Sequence, residues 1–159
     1  MSLLATMDGS GEPGDPDPLN RQSAKLQCVV TQAAPVDLTR PNPSNALDLL
    51  ALFVGGLVRE SMPKTSIEYK TAWAASPIQY VSADDAPFLL IHGDADRTEA
   101  YQQSEWLQAL KNAGVPTKLI RIEGGDHGGP FQGAKNPPDY WSETTKWFDV
   151  CLRRTGPGQ

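Results

Sequence analysis

Three apolar runs, set apart by polar and turn-rich stretches, organise the chain. Leu26-Gln-Cys-Val-Val-Thr-Gln-Ala33 reads as a first strand that ends at Ala34-Pro35. Pro87-Phe-Leu-Leu-Ile-His92 is unbroken in its apolarity, as a strand covered on both faces requires. Thr117-Lys-Leu-Ile-Arg-Ile-Glu123 alternates and so predicts a third strand nearer an edge.

Between the runs the apolar period changes to that of a helix. Asn45, with Asp48 three residues on, predicts a helix over about 46–55 whose Leu47, Leu50, Val54 and Leu57 share a face before Gly55-Gly56 frays it. Thr65-Ser-Ile-Glu68 reads as a capping box opening a short helix that stops before Ser76-Pro77. Residues 98–113 form a helix with Tyr101, Trp106, Leu107 and Leu110 inward, closed by Gly114 and Pro116. A last helix over 139–153 carries Tyr140, Trp141, Thr144, Trp147, Phe148, Cys151 and Leu152 at helical spacing, an aromatic stripe that reads as core. Alternating strands and helices predict an α/β fold: three layers, with a parallel sheet of at least three strands and helices on its faces.

Composition narrows the class. The 159 residues suffice for about one domain. A net charge of −5, with basic residues scattered, argues against nucleic-acid binding. No segment approaches the ~20 apolar residues of a membrane span, and Met1–Met7 has neither the charge nor the length of a signal peptide. Residues 8–18 are turn formers and acids, a loop or flexible linker. Two cysteines, Cys28 and Cys151, make no disulfide framework and read as buried free thiols, which favours a cytoplasmic location unless a signal peptide lies upstream.

The chemistry lies at the strand ends. Ile91-His-Gly-Asp-Ala-Asp96 closes the second strand and Gly124-Gly-Asp-His-Gly128 follows the third. In a parallel sheet, reactive groups gather just beyond the carboxyl ends of strands. Neighbouring strands lie about 4.8 Å apart, so an acid from one can reach an imidazole from the next. Such a carboxylate fixes the histidine tautomer and stabilises the imidazolium. Asp96 and His127 are the candidate pair. His92 ends a buried strand and reads as structural, and Asp94 and Asp126 read as turn or cap residues. Nothing in the spacing of these residues matches a metal-ligand pattern, and no cofactor is implied.

An acid and then a histidine at successive strand ends are the last two parts of a Ser…Asp…His triad, yet no Gly-x-Ser-x-Gly elbow occurs in the sequence. With Ala75-Ser-Pro-Ile-Gln-Tyr-Val-Ser82, Pro87–Asp96, Tyr101-Gln-Gln-Ser104, Ala113-Gly-Val-Pro116 and Ile122–Gly128, the chain resembles the alpha/beta-hydrolase superfamily over about residues 20–155. It is most similar to the carboxylesterase and lipase branch that contains hormone-sensitive-lipase-like and feruloyl-esterase-like enzymes.

The resemblance implies Asp96 as triad acid and His127 as triad base, acting on small acyl esters. It makes the chain a carboxy-terminal half: a remnant helix and flexible loop over 1–19, a hydrolase-like unit over 20–155 with a cap-like segment at 45–76, and a tail at 156–159. Leu3-Leu-Ala-Thr6 resembles the end of the helix after the nucleophile, so the serine would precede Met1. Where the family carries Val-Pro beyond the acid, this chain has Glu99-Ala100. Ser10, Ser23, Ser76 and Ser82 are alternative nucleophiles, none in a strained elbow. Half a fold would leave Leu26–Ala33 as an open apolar edge, which predicts a homo-oligomer joined through it. The alternative is a non-catalytic truncated hydrolase half that persists as an oligomeric or partner-binding module.

Overall fold

The computed structural model describes residues 2–40, 55, 62–96, 100–128, 131–135 and 137–154. The helix expected over 46–55, much of the cap-like segment 45–76, Glu99 and the tail 156–159 lie outside the described residues. Along the rest run helix α1 (Ser2–Thr6), strand β1 (Val29–Gln32), helix α2 (Ile67–Ala74), a 3-10 turn (Pro77–Tyr80), strand β2 (Phe88–Gly93), helix α3 (Ala100–Asn112), strand β3 (Thr117–Ile122) and helix α4 (Tyr140–Arg154).

The strands form one parallel sheet in the order β1-β2-β3, with Val29 beside Phe88 and Phe88 beside Thr117. All six residues of β2 are buried, which explains why that run carries no polar alternation before His92. Its side chains divide between two cores. Phe88 and Leu90 join Val29, Trp106, Leu110 and Val115 on the α3 face, where Phe88 meets Trp106 edge-on at 5.4 Å. Leu89 and Ile91 join Ile120, Ile122 and Phe131 on the other, against Tyr140 and Trp147 of α4. The result is a three-layer α/β arrangement, a partial version of a larger α/β fold.

Four local expectations change. The α4 stripe is core only in part, with Trp141, Phe148 and Leu152 exposed. β1 is shorter than Leu26–Ala33: the ladder starts where the Val29 N–H reaches Pro87 O at 3.0 Å and closes with the Ala33 N–H on Ile91 O at 3.1 Å. The cap of α2 is Ser66, one residue beyond Thr65; its backbone is extended and its hydroxyl accepts the Tyr69 N–H at 3.2 Å. The cysteines are not free thiols. Cys28 and Cys151 are disulfide-bonded, their Cα atoms 5.9 Å apart, because the lead into β1 passes beside the last turns of α4.

The loop that leaves β1 is tied down by buried polar side chains. Gln102 Oε1 accepts the N–H groups of Val36 and Asp37, both at 2.8 Å, and Ser76 Oγ accepts that of Leu38 at 2.8 Å. These bonds fasten the chain over the carboxyl ends of the strands, beside the start of α3. Residues 8–24 fold back through turns of their own, with Glu12 N–H on Asn20 O and Ala24 N–H on Gly9 O.

Candidate functional site

The turn after β2 and the turn after β3 are built against each other. Gly93, the last residue of β2, lies so close to the second turn that a Cβ there would stand 2.2 Å from Gly125 O and 2.9 Å from Asp126 O. Only glycine permits that approach. The contact is locked by hydrogen bonds from Asp94 N–H to Ile122 O at 3.1 Å and from Ala95 N–H to Gly125 O at 3.0 Å. Asp94 Oδ1 accepts the Gly124 N–H at 2.7 Å, and Asp126 Oδ1 accepts the His127 N–H at 2.7 Å. Asp94 and Asp126 are thus turn-builders, in line with their sequence reading. Gly124 and Gly128 have φ of 68° and 85°, which lets the second turn reverse tightly on both sides of His127.

This scaffold brings Asp96 and His127 together. Asp96 Oδ2 and His127 Nδ1 are 3.0 Å apart. The carboxylate is fully buried, whereas the His127 side chain is 50% exposed. A buried carboxylate facing Nδ1 favours the tautomer with the proton there, leaving Nε2 as a lone-pair acceptor on the open side. An imidazole so held can take a proton from a nucleophile and return it to a leaving group. His92 completes a polar cluster. Its Nδ1 lies 3.9 Å from the same Asp96 oxygen, outside hydrogen-bond reach, and burial holds its pKa below the usual imidazole value. Among the described residues, no group of three or more His, Cys, Asp or Glu side chains gathers as a metal shell.

The four serines weighed as nucleophiles are engaged elsewhere. Ser10 Oγ donates to Asp8 and Ser23 Oγ to Gly9 O. Ser76 Oγ, fully buried, donates to Ala72 O while accepting from Leu38. Ser82 Oγ bonds Asp84 and Asp85, before β2 begins and so at the opposite end of the sheet from His127. The residue that sequence reasoning passed over is Gly93. The signal was its place between a buried strand and an acid-bearing turn, but nothing in one sequence says what its Cα touches.

A protein-family profile described as BD-FAE matches residues 4–110, most of the chain. The chain belongs to the BD-FAE family. Over 86 residues it is 34% identical to an uncharacterized peptidase, YuxL, of Bacillus subtilis (strain 168), an alignment that takes 50% of this chain and 12% of the other. Among solved structures, a truncated form of carbohydrate esterase from gut microbiota superposes with a TM-score of 0.70 at 23% identity, covering 96% of this chain and 55% of that one. An acetyl ester-xyloside bifunctional hydrolase from Caldicellulosiruptor lactoaceticus gives a TM-score of 0.59 at 24% identity, over 96% of this chain and 50% of its own. These likenesses carry the fold alone. This BD-FAE chain spans about half the length of those two solved chains and a smaller share of the curated relative.

Proposed function

We propose that this BD-FAE chain provides the acid–base part of a carboxylic ester hydrolase acting on small acyl esters. Asp96 orients the imidazole, and His127 Nε2 takes the nucleophile's proton and later protonates the leaving alcohol. The observation that carries this reading is the 3.0 Å contact between a fully buried carboxylate and a half-exposed imidazole. The nucleophile is a serine supplied from outside these 159 residues, since the sequence holds no Gly-x-Ser-x-Gly and its candidate serines are bonded away from the site. In this reading the chain is the carboxy-terminal half of the fold, with residues 20–155 as the hydrolase-like unit and 45–76 as its cap. The solved relatives, a carbohydrate esterase and an acetyl ester-xyloside bifunctional hydrolase, support small acyl groups as the substrate class.

Assembly belongs to the same proposal. β1 has one edge without a strand among the described residues, and Trp141, Val150 and Leu152 on α4 are 67%, 53% and 51% exposed. Apolar surface of this kind supports association with a second copy or a serine-bearing partner. The Cys28–Cys151 bond supports an oxidising compartment over the cytoplasm.

The test is hydrolysis of a short-chain p-nitrophenyl ester by the purified chain, run beside its His127→Ala variant. Catalytic turnover that appears only with a serine-bearing partner half, and that the variant loses, is the expected result. If both proteins match buffer, and still match it in the presence of a serine-bearing partner half, the hydrolase reading is wrong.

A further inference from the structure

His127 stands on a loop that one buried side chain anchors. Among the described residues from Glu123 to Lys135, Phe131 carries the only buried side chain, at 1% exposure, while Asp126, His127, Gln132 and Lys135 are exposed. The loop closes on itself through the Lys135 N–H on Glu123 O at 3.2 Å and the Asp126 N–H on Gln132 O at 2.9 Å. A loop whose ends meet keeps its shape through the side chains it packs inward.

The Phe131 ring enters the core on the α4 side of the sheet, with Leu89, Ile91, Ile120 and Ile122, and meets Tyr140 edge-on at 5.3 Å. Its backbone has a φ of 44°, a left-handed conformation that is unusual for an aromatic residue. Strain of this kind persists only where the surroundings over-determine it. Here the bend lets the Phe131 N–H reach Gly128 O at 3.0 Å and returns Gln132 O to the N–H of Asp126, the residue before His127. Phe131 also stands directly behind Gly125, where an added Cβ would lie 3.1 Å from Phe131 Cβ. Gly125 is the residue whose carbonyl abuts Gly93 and accepts the Ala95 N–H. Contact therefore passes from Phe131 through Gly125 to the turn that carries Asp96.

We propose that Phe131 is the positioning residue of His127: its ring, seated against Tyr140, backs Gly125 onto the turn after β2 and so holds the imidazole at the Asp96 carboxylate. Phe131 touches no reacting atom and acts only through the loop. A side chain buried in the same core but away from the loop stabilises the fold without setting this contact. Leu89 is such a side chain, fully buried near the start of β2, whereas His127 lies beyond the far end of the sheet. As a role in catalysis the proposal rests on the acid–base reading of the pair; the positioning itself is read without turnover.

The readout is the exchange with water of the downfield His127 Nδ1 proton, followed by NMR alongside Tm. Phe131→Ala is expected to lose the signal. Phe131→Leu keeps apolar bulk but not the edge contact to Tyr140, so local opening is easier and exchange is expected to be about fivefold faster. Leu89→Ala is expected to melt earlier and still exchange at the parent rate. Where Phe131→Ala does not fold, Phe131→Leu against Leu89→Ala decides alone. Four results overturn the proposal: a folded Phe131→Ala that keeps the proton, Phe131→Leu at the parent rate, Leu89→Ala exchanging as fast as Phe131→Leu, or no downfield proton in the parent protein. An intact contact without ester hydrolysis counts against the hydrolase reading and leaves the positioning role standing.

Discussion

Replacing Gly93 by alanine tests how the two turns hold the candidate pair together. The new methyl would meet Gly125 O at 2.2 Å and Gly125 C at 2.5 Å. Both are backbone atoms, so no side-chain rotation relieves the clash. Ordinary contact is reached only when the turns part by roughly 1 Å. The second turn carries His127, and parting it by that distance lengthens the 3.0 Å contact with Asp96 to about 4 Å, beyond hydrogen-bond range. The bonds from Asp94 and Ala95 to Ile122 O and Gly125 O span the same gap and strain with it. Overpacking of this kind costs about 1–3 kcal/mol. In a domain of this size that lowers Tm by roughly 2–12 °C.

Two measurements read the variant. Thermal unfolding gives the stability cost, and the downfield imidazole Nδ1 proton of His127 reports whether the carboxylate still holds it. Gly14→Ala is the matched control, because a Cβ there meets nothing within 4 Å and its φ needs no glycine. Gly93→Ala is expected to lose the downfield proton and melt earlier, while Gly14→Ala does neither. A Gly93→Ala protein with the parent Tm and an unshifted His127 signal would refute the claim that this backbone approach sets the site.

Further outcomes follow from the same geometry. Asp96→Asn removes the charge that orders the imidazole; the downfield signal disappears, and any His127-dependent esterase rate falls by about 10⁴, as loss of the acid does in triads of this type. A double Cys28→Ser, Cys151→Ser variant opens a link between residues 123 apart in sequence. It is expected to lose roughly 2–5 kcal/mol in denaturant titrations, and an unchanged midpoint would show the link to be dispensable. His92 is held below its usual pKa of 6.5 by burial, so the unfolded chain binds its proton more readily. Its contribution to stability is complete above pH 6.5 and is lost as pH falls through the lower folded value. Melting temperatures recorded downward from pH 7 should therefore drop, with a shallower slope in His92→Gln; equal slopes would contradict the burial argument.

How much of this was legible in sequence depends on the range of the forces involved. The unbroken apolarity of Phe88–Ile91 identified a strand covered on both sides, and it is the centre of the sheet with cores on both faces. The acid-then-histidine order at successive strand ends identified the contact between Asp96 and His127, because parallel pairing fixes which strand ends are neighbours. Two local readings missed by small margins for a physical reason. Thr65 and Ser66 are both competent caps, and only the backbone angles of Ser66 decide between them. The apolar Leu26-Gln-Cys28 continues the β1 pattern but stands before the first ladder bond.

The unread features are those created by tertiary approach. Cys28 and Cys151 look like two unrelated apolar positions until α4 lies over the lead into β1. Gly93 looks like an ordinary turn glycine until the turn after β3 closes on its Cα. His92 shows both limits at once. Its place at the end of a buried strand was plain, yet its facing of Arg121 across the register, with Asp96 behind and a cavity in front, exists only in the folded sheet. A strand end of this kind does two things at adjacent positions. Asp96 has passed the edge of the sheet and can meet a side chain from the next turn, while His92, four residues earlier, is still inside the ladder and is committed to the α3 face. That separation lets one segment supply the acid of the Asp96–His127 pair while His92 continues the face of Phe88 and Leu90 toward α3.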